Sequence, residues 1–128
     1  MLLDTSAWIE LFKGGTLGDK VSTIIQTESC HTCMVTIAEV VQWAERNGQN
    51  PDKLVEHIER LTAMINLDRG IAMLAGRLNF QSKKTNNRMG MIDSLILATG
   101  VARGERVLTT DSDFRGLPNT EILGDQQI

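Results

Sequence analysis

The sequence is poor in aromatic side chains and has no long apolar run. Three Phe, two Trp and no Tyr make up 4% of its 128 residues, which leaves little material for stacking on nucleic-acid bases, so base-specific recognition of a nucleic acid is not inferred. The apolar start, Met1–Leu3, meets Asp4 at once and is too short for a signal peptide or a membrane span. We therefore expect a cytoplasmic protein with no membrane segment.

The chain has only two cysteines, in the segment Cys30-His31-Thr32-Cys33. Redox and zinc sites use this spacing, but the segment is predicted to be an extended strand, in which residues three apart are separated by about 10 Å, beyond disulfide reach. A zinc site would need a second pair of ligands, and the only other histidine, His57, lies in a predicted polar-faced helix. We therefore expect both thiols to be packing groups.

A surplus of positive charge is also absent, since 13 Lys and Arg stand against 16 Asp and Glu, for a net charge of −3. Proteins that bind nucleic acids usually carry extra cations for phosphate contacts. The average conceals a local pattern, because residues 69–88 include no acid and five cations, namely Arg69, Arg77, Lys83, Lys84 and Arg88. Such a run is either a solvated helix face or a phosphate-binding surface, and the residues alone leave both open.

Short apolar runs alternate with segments of helical periodicity along the whole chain, a pattern typical of parallel strands joined by crossover helices. With 41% hydrophobic residues, the chain is long enough for one core and too short for two domains. Residues 1–128 are therefore predicted to form a single α/β domain. The predicted strands are Met1–Leu3, Cys30–Val35, Met64–Leu67, Arg106–Thr109 and Thr120–Leu123.

Helix signals lie between these strands. Ser6 and Asp68 are predicted N-caps, Thr85–Gly90 is a predicted polar loop, and Gly104 is the residue at which the last helix is expected to end. The predicted helices start at or near Ser6, Leu17, Thr36, Pro51, Arg69 and Met91.

Two acids follow predicted strands directly. Asp4 comes after Leu2-Leu3, and Asp111 comes soon after the strand that ends at Thr109. The carboxyl edge of an open parallel sheet is where sites form. An Asp after a strand is also a common helix cap or turn residue, but two at equivalent places favour a site.

Asp93 and Glu39 are candidates with ordinary alternatives. Asp93 lies in a segment that is apolar nearly all round, so the helix is predicted to be buried and the carboxylate to need a cation or several donors; a place in the first helical turn would also favour an acid. Glu39 is the last residue of Thr36-Ile37-Ala38-Glu39, which matches a capping box. It gains a functional interpretation because its helix follows a strand and so starts at the same edge.

Four acids without local cationic partners would repel one another unless a hard cation lay between them, and ligands that are all oxygen favour Mg²⁺ or Mn²⁺. Phosphodiester hydrolysis suits that arrangement, because the metal activates a water and neutralises charge on the leaving oxygen.

Four segments, in this order, resemble the PIN-domain family, and in particular the VapC-type toxins of prokaryotic toxin–antitoxin pairs. The resemblance runs through nearly the whole chain and rests on Leu3-Asp4-Thr5-Ser6, Thr36-Ile37-Ala38-Glu39, Ile92-Asp93-Ser94-Leu95-Ile96-Leu97-Ala98-Thr99 and Leu108-Thr109-Thr110-Asp111-Ser112-Asp113-Phe114.

The resemblance implies a three-layer α/β/α fold with a mostly parallel sheet, a homodimer, an antitoxin partner and a Mg²⁺-dependent endoribonuclease in which Mn²⁺ can substitute. The acidic quartet would be Asp4, Glu39, Asp93 and Asp111, acting in catalysis and metal binding. Asp113 would be a further ligand, and Ser6 and Thr110 supporting polar residues. The RNA backbone would be bound by Lys83, Lys84 and Arg88. Gly100 departs from the family pattern, which more often has Ala there.

Other functions remain open at this stage. One is a PIN-domain nuclease that processes RNA outside a toxin pair, and another is a metal-binding interaction domain without catalysis, for which the helix face of Trp8, Ile9 and Phe12 would serve a partner. Phosphoryl transfer through an aspartyl phosphate on Asp4 is disfavoured, because Ser6 stands where a second Asp would be needed.

Overall fold

The computed structural model describes residues 1–85 and 88–124 and contains a five-stranded sheet in which every strand pair is parallel. The strand order is β3-β2-β1-β4-β5. These strands are β1 (Leu2–Leu3), β2 (His31–Cys33), β3 (Ala63–Ile65), β4 (Val107–Thr109) and β5 (Thr120–Ile122). The predicted α/β class with a parallel central sheet is confirmed.

Within the described residues, six α-helices flank the sheet. They are α1 (Thr5–Lys13), α2 (Thr16–Thr27), α3 (Met34–Arg46), α4 (Pro51–Leu61), α5 (Arg69–Lys84) and α6 (Met91–Arg103). A short 3₁₀ helix, Ser112–Phe114, lies between β4 and β5. No helix in the described part of the chain is long and apolar enough to cross a membrane.

The described residues form three buried apolar clusters, of which one lies between α5 and α6. The other two lie on opposite faces of the sheet, because successive side chains of a strand point to opposite faces. Leu3 and Leu108 pack on one face with side chains from α1 to α4, including the fully buried Trp8. Leu2 and Val107 pack on the other face with the buried residues of α6. The predicted three layers follow from this alternation.

Most predicted boundaries agree with the structure, but two helix starts differ. The first helix begins at Thr5 with Asp4 at the N-cap, so Ser6 is a helical residue and not the cap. The third helix begins at Met34, directly after β2, which spans only the three residues His31–Cys33 and not the predicted Cys30–Val35. Thr36 is therefore inside the helix, and the capping box that was the alternative role for Glu39 does not form.

The other strand and loop predictions differ by a residue or two. The third strand is Ala63–Ile65 rather than Met64–Leu67. Asp68 caps α5 as predicted, since its carboxylate accepts the Ile71 N–H at 2.8 Å. The predicted loop Thr85–Gly90 includes residues 86–87, which lie outside the described residues.

Both cysteines are free and buried, which agrees with the predicted packing role. Trp8 is buried as well, and its ring stacks on that of Phe12 with centroids 5.8 Å apart.

Gly100 allows α6 to lie against β4. A Cβ at this position would stand 2.7 Å from Val107 Cγ2 and 3.0 Å from the Glu105 carbonyl oxygen. Because Val107 is fully buried and branched at Cβ, it cannot yield easily. The Gly at this position, where the resemblance implied Ala, is therefore a packing requirement of this chain.

Candidate active site

The four predicted acids come to one edge of the sheet, at the carboxyl ends of its central strands. Asp4 follows β1, and Asp111 follows the adjacent strand β4 by two residues. Glu39 lies in the second turn of α3, which starts directly after β2, and Asp93 lies in the first turn of α6. Parallel strands end at one edge, so their following residues share one site.

Asp4 is the most buried of the four, with 3% of its surface exposed. Its Oδ2 accepts hydrogen bonds from Ser6 Oγ at 2.8 Å and Thr109 Oγ1 at 2.7 Å. Burial raises the pKa of Asp4, and the charge of Asp111 adds to the rise, whereas the donors from Thr109, Ser6 and the Thr5 N–H oppose it. The carboxylate is thus held rigidly at the end of β1.

Thr109 is a site residue that the sequence did not single out. Its hydroxyl also accepts the Asp111 N–H at 3.0 Å, so it connects the two strand-end acids. Thr110, which was predicted as the supporting residue, takes part through its backbone N–H, a donor to Ser6 Oγ at 2.9 Å. The sequence shows two threonines before Asp111, Thr109 and Thr110, but it does not indicate which of them faces Asp4.

Glu39 is held by a hydroxyl from α1. Thr5 Oγ1 donates to Glu39 Oε1 and also lies 3.2 Å from the buried Thr36 Oγ1. Burial raises the pKa of Glu39 and the charge of Asp4 raises it further, while the Thr5 hydrogen bond lowers it. Thr5 is a second contact that the sequence pattern did not reveal.

The pKa of Asp93 is raised from 3.8 to about 7. Burial is the main cause, followed by the charges of Asp4, Asp111 and Glu39, and a hydrogen bond from the Gly90 N–H opposes the rise. Asp93 therefore combines two features predicted as alternatives: it occupies the first turn of α6, and it is close enough to three other acids for their charges to raise its pKa.

The helix around Asp93 is less buried than predicted. Met91 and Ile92 are 51% and 39% exposed, and the fully enclosed stretch begins only at Ile96. The start of α6 is instead held by Asn79 of α5, which is 6% exposed and donates to the Met89 carbonyl at 3.0 Å and to Ser94 Oγ at 3.1 Å.

Asn79 thus fixes the segment that presents Asp93, and sequence reasoning missed it. The only signal was a polar residue at a core spacing of α5, four residues after Ala75 and eight after Ile71.

The carboxylate of Asp111 caps the 3₁₀ helix by accepting the Asp113 N–H at 2.9 Å. This contact places Asp113 next to Asp111 along the chain but involves its backbone. The role of Asp113 as a further ligand stays a prediction.

The donor set fits a hard divalent cation, since it consists of carboxylates and hydroxyls. Neighbouring carboxylate charges raise the pKa of Asp4, Glu39 and Asp93. The acids do not converge completely: within residues 1–85 and 88–124, no three His, Cys, Asp or Glu side chains form a group that would hold an ion as they stand. The carboxylates of Asp4, Glu39 and Asp93 accept hydrogen bonds from Thr109, Thr5 and the Gly90 N–H respectively.

The three residues predicted to bind the RNA backbone lie at the end of α5 and just before α6. Lys83 and Lys84 end α5, and Arg88 precedes α6. All three are exposed. Because α5 and α6 run antiparallel, with Asn79 bonded to Ser94, the end of α5 lies near the start of α6 that carries Asp93.

Comparisons with known proteins agree with this architecture. The sequence model of the PIN domain family matches residues 1–119. The chain therefore belongs to the PIN domain family, as its sequence motifs predicted. None of the curated proteins matches the sequence significantly.

Solved structures share the fold at low identity. A toxin–antitoxin complex from Klebsiella pneumoniae is 23% identical, with a TM-score of 0.76 and 94% of both chains covered. VapC20 of Mycobacterium tuberculosis, described as a toxin that cleaves the sarcin–ricin loop, is 13% identical, with a TM-score of 0.79 over 95% of this chain and 98% of that one. VapBC2 of Rickettsia felis, bound to promoter DNA, is 13% identical, with a TM-score of 0.77 over 95% and 97%.

Proposed function

We propose that this protein is a Mg²⁺-dependent endoribonuclease, with Mn²⁺ as a substitute, and that it is the toxin of a type II toxin–antitoxin pair. The observation that carries the proposal is the acidic edge of a PIN fold, where the charge of Asp111 raises the pKa of Asp4 and the charge of Asp4 raises the pKa of Glu39. The charges of all three raise the pKa of Asp93. Such mutual repulsion is expected of a site built to hold a divalent ion.

The residues of the site have distinct roles in this proposal. Asp4 and Asp93 bind the metal most directly, and Glu39 and Asp111 complete the pocket. Thr109 and Ser6 orient the Asp4 carboxylate through the hydrogen bonds to its Oδ2. Once bound, the ion would activate a water for attack on the phosphorus and neutralise charge on the leaving oxygen.

The partners follow from the likeness to toxin–antitoxin structures. We propose an antitoxin protein that inhibits the site and a homodimer as the assembled toxin. The helix face of Ile9 and Phe12, both half-buried in α1, is the candidate contact for the antitoxin. Trp8 is excluded from that contact because it is fully buried.

The test is metal-dependent cleavage by the purified chain, free of any partner. Mg²⁺ and Mn²⁺ are titrated against a mixed pool of tRNA, rRNA fragments and single-stranded RNA, and the product ends are analysed. We expect cuts that leave 5′-phosphate ends, abolished by Asp93→Asn and retained by Glu56→Gln, a matched acid-to-amide change at an exposed position of α4. Cleavage that persists in folded Asp93→Asn would contradict the proposal.

A metal-binding interaction domain without catalysis is the second candidate, for which the half-buried Ile9 and Phe12 of α1 would serve as the partner contact. The same titration separates the two functions. Metal binding in calorimetry together with intact RNA would support the second candidate. Cleavage by a chain that no antitoxin inhibits would instead indicate an RNA-processing nuclease outside a toxin pair.

A further inference from the structure

The charges of this protein are strongly segregated. The helices α5 and α6 with the segment between them, residues 69–104, are called the basic hairpin below. It holds six of the 13 Lys and Arg and one of the 16 Asp and Glu, a net charge of +5. The remaining residues hold seven cations and 15 acids, a net charge of −8. The low overall charge of −3 therefore conceals one strongly positive element.

The outer face of α5 combines this charge with apolar groups. Residues spaced by three or four along a helix share a face, and on α5 one such row is Arg69, Met73, Arg77, Phe80 and Lys84. All five are exposed. The opposite face is buried against α6, as the exposures of Ile71, Ala75 and Asn79 show, at 6% or less.

Phe80 is the most exposed large apolar side chain of the described residues, with 62% of its surface accessible. The Lys84 ammonium lies 4.5 Å from the centroid of its ring, within range of a cation–π contact. Among ion pairs between described residues, none involves a cation of the basic hairpin. An accessible ring with unneutralised cations at both sides is the arrangement that single-stranded nucleic acids bind, by base stacking and phosphate contacts.

We propose that the outer face of α5 is a docking surface for single-stranded RNA, on which an unpaired base stacks on Phe80 while Arg77 and Lys84 contact the flanking phosphates. This inference rests on the proposed function and adds the route by which substrate reaches the acidic edge. The end of α5 lies near the start of α6 and Asp93, so RNA along this face leads to the four acids.

Charge distinguishes RNA from a second copy of the chain as the occupant. A two-fold contact between outer α5 faces would bring two elements of net charge +5 together, and like charges in contact disfavour association. RNA phosphates are complementary to the same surface.

The test is RNA binding in EDTA, where no metal-dependent cleavage occurs. A fluorescein-labelled single-stranded RNA of mixed sequence and about 20 nucleotides, long enough for several contacts, is titrated by fluorescence anisotropy. We expect Phe80→Ala to weaken binding about fivefold or more, the lower end of what one base–aromatic stack contributes. Arg77→Gln should reduce the slope of log affinity against log salt by about 0.7.

Matched controls lie on α4, outside the basic hairpin. Leu61→Ala removes an apolar side chain that is 42% exposed, and Lys53→Gln removes an exposed cation; both should leave affinity and slope unchanged. Equal losses in the controls, or wild-type affinity in Phe80→Ala, would overturn the inference. Dissociation of a dimer in Phe80→Ala, measured by light scattering, would overturn it by assigning the face to a protein contact.

The two proposals fail separately. If the wild-type chain cleaves RNA with Mg²⁺ but Phe80→Ala binds RNA with wild-type affinity, only the proposed docking surface is contradicted. If Phe80→Ala weakens RNA binding but the wild-type chain cleaves no RNA, only the proposed nuclease activity is contradicted.

Discussion

Replacing Asp93 by Asn should stabilise the metal-free protein, although it removes a residue of the proposed site. The pKa of Asp93 is raised from 3.8 to about 7 in the folded state. Between these values the folded protein binds the proton more tightly than the unfolded chain does, so wild-type stability falls as the pH rises from about 4 to about 7. Asn has the same shape and no charge, and it is free of this penalty.

The magnitude follows from the shift. A rise from 3.8 to about 7 corresponds to about 4 kcal/mol if fully expressed. Asp93 is partly exposed, and solvent screens its interactions, so we expect about 1 to 2 kcal/mol. The advantage of Asp93→Asn should be absent below about pH 4, grow up to about pH 7, and stay constant above it.

The measurement is urea unfolding in EDTA at a series of pH values, with Glu56→Gln as the control. That exposed position should change the free energy of unfolding by less than about 0.5 kcal/mol. Adding Mg²⁺ at pH 8 should reverse the order, because an ion that binds the folded wild type stabilises it. A pH-independent difference between Asp93→Asn and wild type, or no difference at pH 8, would refute the electrostatic argument.

Three further substitutions test the packing and the hydrogen bonds of the site. Gly100→Ala should lower the free energy of unfolding by about 1 to 3 kcal/mol through overpacking. Gly76→Ala should raise it by about 0.5 to 1 kcal/mol, because a Cβ at that position would meet nothing within 4 Å. Equal effects of the two substitutions would contradict the close packing of α6 on β4. Asn79→Ala should lower the free energy of unfolding, measured in urea, by about 2 to 3 kcal/mol, because the Met89 carbonyl and the Ser94 hydroxyl lose a hydrogen-bond donor. A loss below about 0.5 kcal/mol would show that these hydrogen bonds contribute little to stability. Thr109→Val should weaken Mn²⁺ binding about tenfold in calorimetry, because it removes a hydrogen-bond donor to the Asp4 carboxylate, a proposed metal ligand. Thr110→Val should leave Mn²⁺ binding unchanged. Weaker binding in Thr110→Val than in Thr109→Val would instead support the sequence-based prediction that Thr110 is the supporting residue.

The architecture was predictable because its signals are local. Apolar runs and helical periodicity record which side chains are buried, and their alternation requires parallel strands with crossover connections. The positions of Asp4 and Asp111 at one edge follow from that topology alone, since both succeed a strand. Asp68 as an N-cap was likewise readable from a few neighbouring residues.

The errors concern features that depend on where elements start and how they meet. The segment Thr36–Glu39 has the letters of a capping box, but β2 ends after three residues and α3 starts at Met34, so both residues are helical. The boundary between β2 and α3 follows the pairing of β2 with β1 and β3, which involves only His31–Cys33. A local motif does not contain that information.

The sequence alone determined that this protein is a parallel α/β domain of the PIN family with four acids at one edge. Only the tertiary structure decided which neighbours tune those acids. Whether Thr109 or Thr110 faces Asp4 depends on the register of β4 beside β1, since a slip of one residue would exchange their sides. The contacts of Asn79 with Ser94 and of Gly100 with Val107 join residues from different elements. Such pairs are created by packing, and the sequence pattern of neither element indicates the other.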